Sequence, residues 1–126
     1  GGVAWLLMCL ERFDRSCETH IQHDPRKRFL NLRPKEKVRE YISRHIDEGR
    51  IFIGCEGEEP DIAYAIERIG NKPFVFSSDY PHEVNNEFCK HEITEMLENK
   101  AMTEADKKAV LHENARRFYS LGTPAL

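Results

Sequence analysis

The residues best placed to do chemistry sit where a short apolar run stops. Phe74-Val75-Phe76 reads as a buried strand, and Ser77-Ser78-Asp79-Tyr80-Pro81-His82 follows it. In parallel α/β folds the carboxyl end of a strand is where ligands and metals bind. A carboxylate at Asp79 could ligate a divalent cation, or take a proton from a metal-bound water. Pro81 biases Tyr80 toward extended backbone, which predicts a loop that projects Asp79 and His82 toward the opening. On local sequence alone, Asp79 serves equally well as a turn or cap residue, and His82 as a plain loop residue.

A second acidic group, Glu56, Glu58 and Glu59, stands at the equivalent end of Ile51-Phe52-Ile53. Paired carboxylates can do acid–base work, but an acidic loop ahead of a helix is ordinarily solvated and favoured by the helix dipole. His20, His23, His45, His91 and His112 show no metal-ligand spacing, which predicts surface or capping roles. Trp5 could line a pocket, although a lone aromatic on an apolar helix is more often core. Cys9, Cys17, Cys55 and Cys89 form no C-x-x-C pair. Reduced, mostly buried thiols are therefore expected, with Cys55 just beyond its strand.

These residues need elements to position them. Val3, Leu6, Leu7, Leu10, Phe13 and Cys17 recur at helical spacing, behind a Gly1-Gly2 turn. Residues 20–34 read as a polar loop. Pro34 suits the first turn of a second helix, carried by Val38, Tyr41, Ile42 and Ile46 and stopped by Gly49. Ile51 to Ile53 is the first strand. Asp61 can cap a third helix that Gly70 closes. Phe88, Ile93, Met96 and Leu97 mark a fourth. Thr103 with Asp106 resembles a capping box for the last helical stretch, which runs through Val110, Ala115 and Phe118. Strands alternating with helices predict parallel βαβ units, yet two strands are too few to close a sheet. The chain is therefore either a small irregular α/β domain or part of a larger one.

Composition sets the outer bounds. The 126 residues carry 19 basic and 22 acidic side chains, a net charge of −3, with no general attraction to nucleic acid or anionic lipid. The balance is uneven: residues 24–50 hold nine Lys/Arg against five Asp/Glu, with Arg26-Lys27-Arg28 the densest cluster. A solvated loop and helix face is the plain reading, and phosphate or partner binding the sharper one. The longest apolar run, Val3 to Leu10, is far short of the ~20 residues of a membrane helix. The chain opens on Gly-Gly rather than Met, which reads as a processed or truncated product.

Four stretches together resemble the amidohydrolase-related (amidohydrolase 2) family of metal-dependent hydrolases, which includes decarboxylases similar to aminocarboxymuconate-semialdehyde decarboxylase. They are Gly1-Gly2-Val3-Ala4-Trp5 running to Leu10-Glu11-Arg12-Phe13-Asp14, then Ile51-Phe52-Ile53-Gly54-Cys55-Glu56, then Phe76-Ser77-Ser78-Asp79-Tyr80-Pro81-His82-Glu83-Val84-Asn85, and finally Leu111-His112-Glu113-Asn114-Ala115-Arg116-Arg117-Phe118-Tyr119. They stand in the family's order and roughly its spacing. The third is the most specific.

The resemblance implies an α/β fold in which residues 1–126 are the C-terminal portion of a (β/α)₈ TIM barrel of ~250 residues or more. Ile51 to Ile53 would be strand 7, and Phe74 to Ser77 strand 8. Asp79 matches the family's Asp at the end of strand 8, a metal ligand or the acceptor of a proton from the metal's water. His82 and Trp5 would sit at the mouth of the site, facing substrate. The family's His-x-His on strand 1 and its later ligand His have no counterpart here. The parent would bind one divalent ion, Zn²⁺ before Mn²⁺ or another metal, with its other ligands missing from this chain. The isolated chain would then be inactive.

The implied parent is a cytoplasmic hydrolase or carboxy-lyase acting on a small carboxylated, aromatic-derived substrate. It would bind neither nucleic acid nor membrane, and further copies of itself would be its protein partner. The rival expectation is a non-catalytic α/β binding module that uses the basic 24–50 segment.

Overall fold

The computed structural model describes residues 2–21, 26, 28, 30–82 and 84–122. Gly1, His23, Lys27 and Glu83 fall outside the described residues, so the readings placed on them stay with the sequence. Helix α1 (Ala4–Ser16) continues into a π-helical turn at Cys17–Ile21. It is followed by α2 (Val38–Asp47), β1 (Ile53–Cys55), α3 (Ile62–Ile69), β2 (Phe74–Phe76) and α4 (Asn86–Glu98). A last helical rod joins α5 (Glu104–Lys108), a π-helical turn (Ala109–Glu113) and α6 (Asn114–Phe118). Among the described residues no helix is long and apolar enough to cross a membrane.

The two strands pair in parallel, Ile53 opposite Phe74 and Cys55 opposite Phe76, with α3 as the crossover. The first strand therefore lies two residues later than the apolar run predicts, and it includes Gly54 and Cys55. Pro73 explains the shift. It has no N–H, so the ladder opens with its carbonyl accepting from Ile53 N at 2.8 Å, and nothing precedes that bond for Ile51 or Phe52 to pair with. The Phe52 ring instead meets Phe118 edge-on at 5.1 Å.

One face of this strand pair is core. Ile53, Cys55 and Phe74 are buried against Val3 and Leu6 of α1, Ile62 and Ala65 of α3, and Met96, Met102 and Val110. The opposite face carries Gly54, Val75 and Ser77, with Gly54 and Ser77 exposed. A Cβ built on Gly54 would lie 3.8 Å from Ser77 Cβ, so the two share that open face.

Several local expectations change in detail. Pro34 lies in a turn with Lys35 at φ 65°, and α2 begins only at Val38. Asp61 occupies the N-cap position of α3, but its side chain accepts no cap hydrogen bond. Gly49 and Gly70 do stop their helices, at φ 70° and 80°, and the Thr103–Asp106 box is present. Of the cysteines only Cys55 is buried; the other three are half-buried, and all four are free.

Helix α4 forms where its apolar residues mark it, but most of them are not what it buries. Its buried residues are Met96 and Glu92, while Phe88, Ile93 and Leu97 are exposed. The cause is a close approach to the loop after β1: a Cβ on Gly57 would fall 2.0 Å from the Glu92 carbonyl oxygen. That contact turns the Glu92 face of the helix inward.

Candidate functional site

The open face of the strand pair leads to a cleft of about 320 Å³ at the carboxyl ends of β1 and β2. Trp5, Gly54, Glu56, Ser77 and Asp79 are among the residues that line it. Each strand supplies a carboxylate, Glu56 from one end and Asp79 from the other. The alternation that places Gly54 on the open face also places Glu56 there, a period-two signal present in the sequence and overlooked when the acidic loop is taken as a block.

Asp79 sits at φ 55°, a left-handed conformation that Asp tolerates better than most residues. The chain then closes into a turn rather than projecting: His82 N donates to the Asp79 carbonyl at 3.1 Å, across a cis Tyr80–Pro81 peptide. His82 is exposed and does not line the cleft, so the structure brings Trp5 and Asp79 together but not His82.

Trp5 owes its position to Glu59. One Glu59 oxygen accepts from Val3 N at 2.5 Å and the other from Glu56 N at 2.9 Å, so a single carboxylate ties the start of α1 to the loop after β1. This places a negative group at the positive end of a helix. Gly2, at φ 83°, lets the chain enter that turn. Of the three loop glutamates, Glu58 alone is fully exposed, as a solvated acidic loop predicts.

Two groups beside the cleft resist ionisation. Burial, reinforced by Glu59 and Glu56, pushes the Cys55 thiol up to about 12, which leaves it neither a nucleophile nor a ready metal ligand at neutral pH. Glu92, 2% exposed, has one carboxylate oxygen with no hydrogen-bond partner. Burial first, then the charge of Glu56, raises its pKa, and the Gly57 N–H only partly offsets this.

Three of the other histidines pair within their own helical segments: His20 bonds Thr19, His91 faces Glu95, and His112 faces Glu113. The Asn114 side chain is structural. Its Nδ2 donates to the Asn71 and Phe74 carbonyls at 2.7 and 2.8 Å, and Arg117 donates to the Lys72 carbonyl. Among the described residues no group of three or more His, Cys, Asp or Glu side chains is arranged to hold a metal ion. Asp79 and Glu56 alone do not make a metal site.

The amidohydrolase family model matches residues 38–121, two thirds of the chain. That span includes both strands, Asp79 and Asn114. No curated protein and no solved structure matches significantly.

Proposed function

The chain belongs to the amidohydrolase family, and from that membership we propose that it forms the C-terminal portion of a (β/α)₈ barrel enzyme, with β1 and β2 as the seventh and eighth strands. The observation that carries the proposal is the open sheet face. Parallel sheets occur almost only with both faces covered, yet here one face is core and the other presents Gly54, Val75, Ser77 and a cleft with two carboxylates. A barrel interior closed by further strands accounts for that face. A non-catalytic module built on the basic segment 24–50 leaves it unexplained.

In this reading Asp79 is the catalytic residue, either one oxygen ligand of a divalent ion or the acceptor of a proton. The ion, Zn²⁺ before Mn²⁺, would take its remaining ligands from outside this chain. Trp5 lines the side of the cleft against which an aromatic-derived carboxylate would pack, and His82 stands outside it as a second substrate-facing residue. Hydrolysis and decarboxylation both fit, the latter by likeness to the aminocarboxymuconate-semialdehyde decarboxylase group. In the same reading the parent is a cytoplasmic homo-oligomer acting on small molecules, and the isolated chain is inactive.

The test is Asp79→Ala in the complete protein, assayed on small cyclic and aromatic carboxylates with metal content measured in parallel. Turnover should be abolished and bound metal should fall. An Asp79→Ala enzyme with near-wild-type turnover would sink the assignment.

A further inference from the structure

A second cavity, of about 680 Å³, lies between the 31–34 segment and α2. It shares no lining residue with the Asp79 cleft. Arg50, on its wall, precedes β1, whereas Asp79 follows β2. Since the strands are parallel, the two sites stand at opposite ends of the sheet.

Its lining contains Arg33, Arg44, Arg50 and His45, with Asn31 and Tyr41, and no acidic residue. The acids nearby are Glu36, Glu40, Asp47 and Glu48, which line a neighbouring depression together with Arg33 and Arg44. Glu36 is committed to Arg44, accepting from Nε at 2.8 Å and from Nη2 at 3.1 Å. Glu48 serves Arg44, His45 and Arg50 at once, at 3.7, 3.5 and 3.7 Å, so it makes a close hydrogen bond with none of them. The Arg33 guanidinium has no hydrogen-bond or ion-pair partner among the described residues. With Glu36 held by Arg44, Glu40 by the Lys37 N–H and Asp47 by Lys72, the cavity's own wall carries three guanidinium groups and no carboxylate, and Arg33 and Arg50 keep unused donors.

We propose that this cavity binds the phosphate group of a small soluble ligand, held by the forks of Arg33 and Arg50 with His45 at its edge. Guanidinium matches phosphate oxygens in paired, charge-assisted hydrogen bonds. The Arg33 fork and the loosely paired Arg50 fork together suit a dianionic phosphate better than a single carboxylate. Arg33 and Arg50 stand exposed at the rim of a concave wall, a shape that suits a small soluble phosphate better than the flat array of headgroups on a membrane.

The experiment titrates inorganic phosphate into the complete protein by calorimetry at constant ionic strength. Arg33→Ala, Arg50→Ala and the distant exposed Lys100→Ala are compared, with circular dichroism as a check on folding. The side chains of Arg33 and Arg50 are exposed and make no close hydrogen bond, so their removal should leave the fold intact. Each arginine change should weaken binding about tenfold, the loss expected for one charge-assisted interaction. Lys100→Ala should have no effect, and acetate should bind more weakly than phosphate. Absence of phosphate binding in the wild-type protein overturns the proposal. So does binding that survives both arginine changes. Capture by phosphatidic acid vesicles through the same arginines, without binding of inorganic phosphate, overturns the soluble ligand in favour of the lipid.

Discussion

Replacing Asn114 with Ala should destabilise the protein by about 2–4 kcal/mol, and the estimate follows from the strand register. In the parallel ladder Ile53 bonds through Pro73 and Val75, so the N–H and C=O of Phe74 point to the other edge of β2. Phe74 is fully buried, and its carbonyl has Asn114 Nδ2 as its partner at 2.8 Å. Truncation leaves that oxygen dry and unpaired, at a cost of about 1–3 kcal/mol. The Asn71 carbonyl also loses Nδ2 but keeps Phe74 N at 3.4 Å, so it adds roughly 1 kcal/mol.

Urea denaturation of the complete protein, followed by circular dichroism, reads the loss as a lowered midpoint. Asn114→Asp keeps the shape but turns an oxygen toward both carbonyls, so it should cost at least as much as Ala. Asn86→Ala, at an exposed position at the start of α4, is the control. An Asn114→Ala protein within about 0.5 kcal/mol of wild type refutes the reasoning, since that is the scale of an ordinary surface change.

Gly57→Ala sets a Cβ against the Glu92 backbone at 2.0 Å, so α4 must move away; overpacking of this kind costs about 1–3 kcal/mol, and an unchanged urea midpoint would contradict it. Glu92 binds its proton more tightly in the folded state than in the unfolded one, because burial and Glu56 raise its pKa. Its contribution is therefore complete below the ordinary carboxylate value and is lost as pH rises through the raised one. Glu92→Gln should be the more stable protein at pH 8, with the gap closing toward pH 4.5; parallel stability profiles would count against this. Cys55, its thiol pushed up to about 12, should react with a disulfide reagent at pH 8 only as the protein unfolds, after Cys9, Cys17 and Cys89. Modification of all four at one rate would show that the core opens there.

The element order was legible because each signal was local. Leucines at helical spacing in α1, glycines at positive φ after α2 and α3, and the Thr103 box each act within a few residues of themselves. What was not legible depended on partners distant in sequence. Nothing around Glu59 announces that it will cap a helix 56 positions earlier. The start of β1 depends on a proline just ahead of the partner strand. Asn114 reads as part of a family ending, but only the fold shows it closing the edge of β2, 40 positions away. At the site, local sequence left Asp79 open between turn and chemistry. The structure supports both roles: Asp79 begins a turn and lines the cleft, with Trp5 beside it.

The exposed apolar side of α4 bears on the larger architecture. Phe88, Ile93 and Leu97, apolar residues that mark the helix in the sequence, are exposed, and Glu92 is inside. Both statements describe one helix with two demands on it. The Gly57 contact fixes which side faces the loop after β1, and the apolar side is left without cover among the described residues. Trp5, Met8 and Phe13 on α1 are in the same position. Each such side chain gains about 1.5–3 kcal/mol on burial, so a sequence that repeats the pattern on two helices is written for a neighbour. The bare face of the strand pair has the same need, and so, in the proposed reading, does the carboxylate pair, which alone does not make a metal site. Added strands and helices of a barrel would answer all three at once, whereas a free-standing module would need a separate explanation for each.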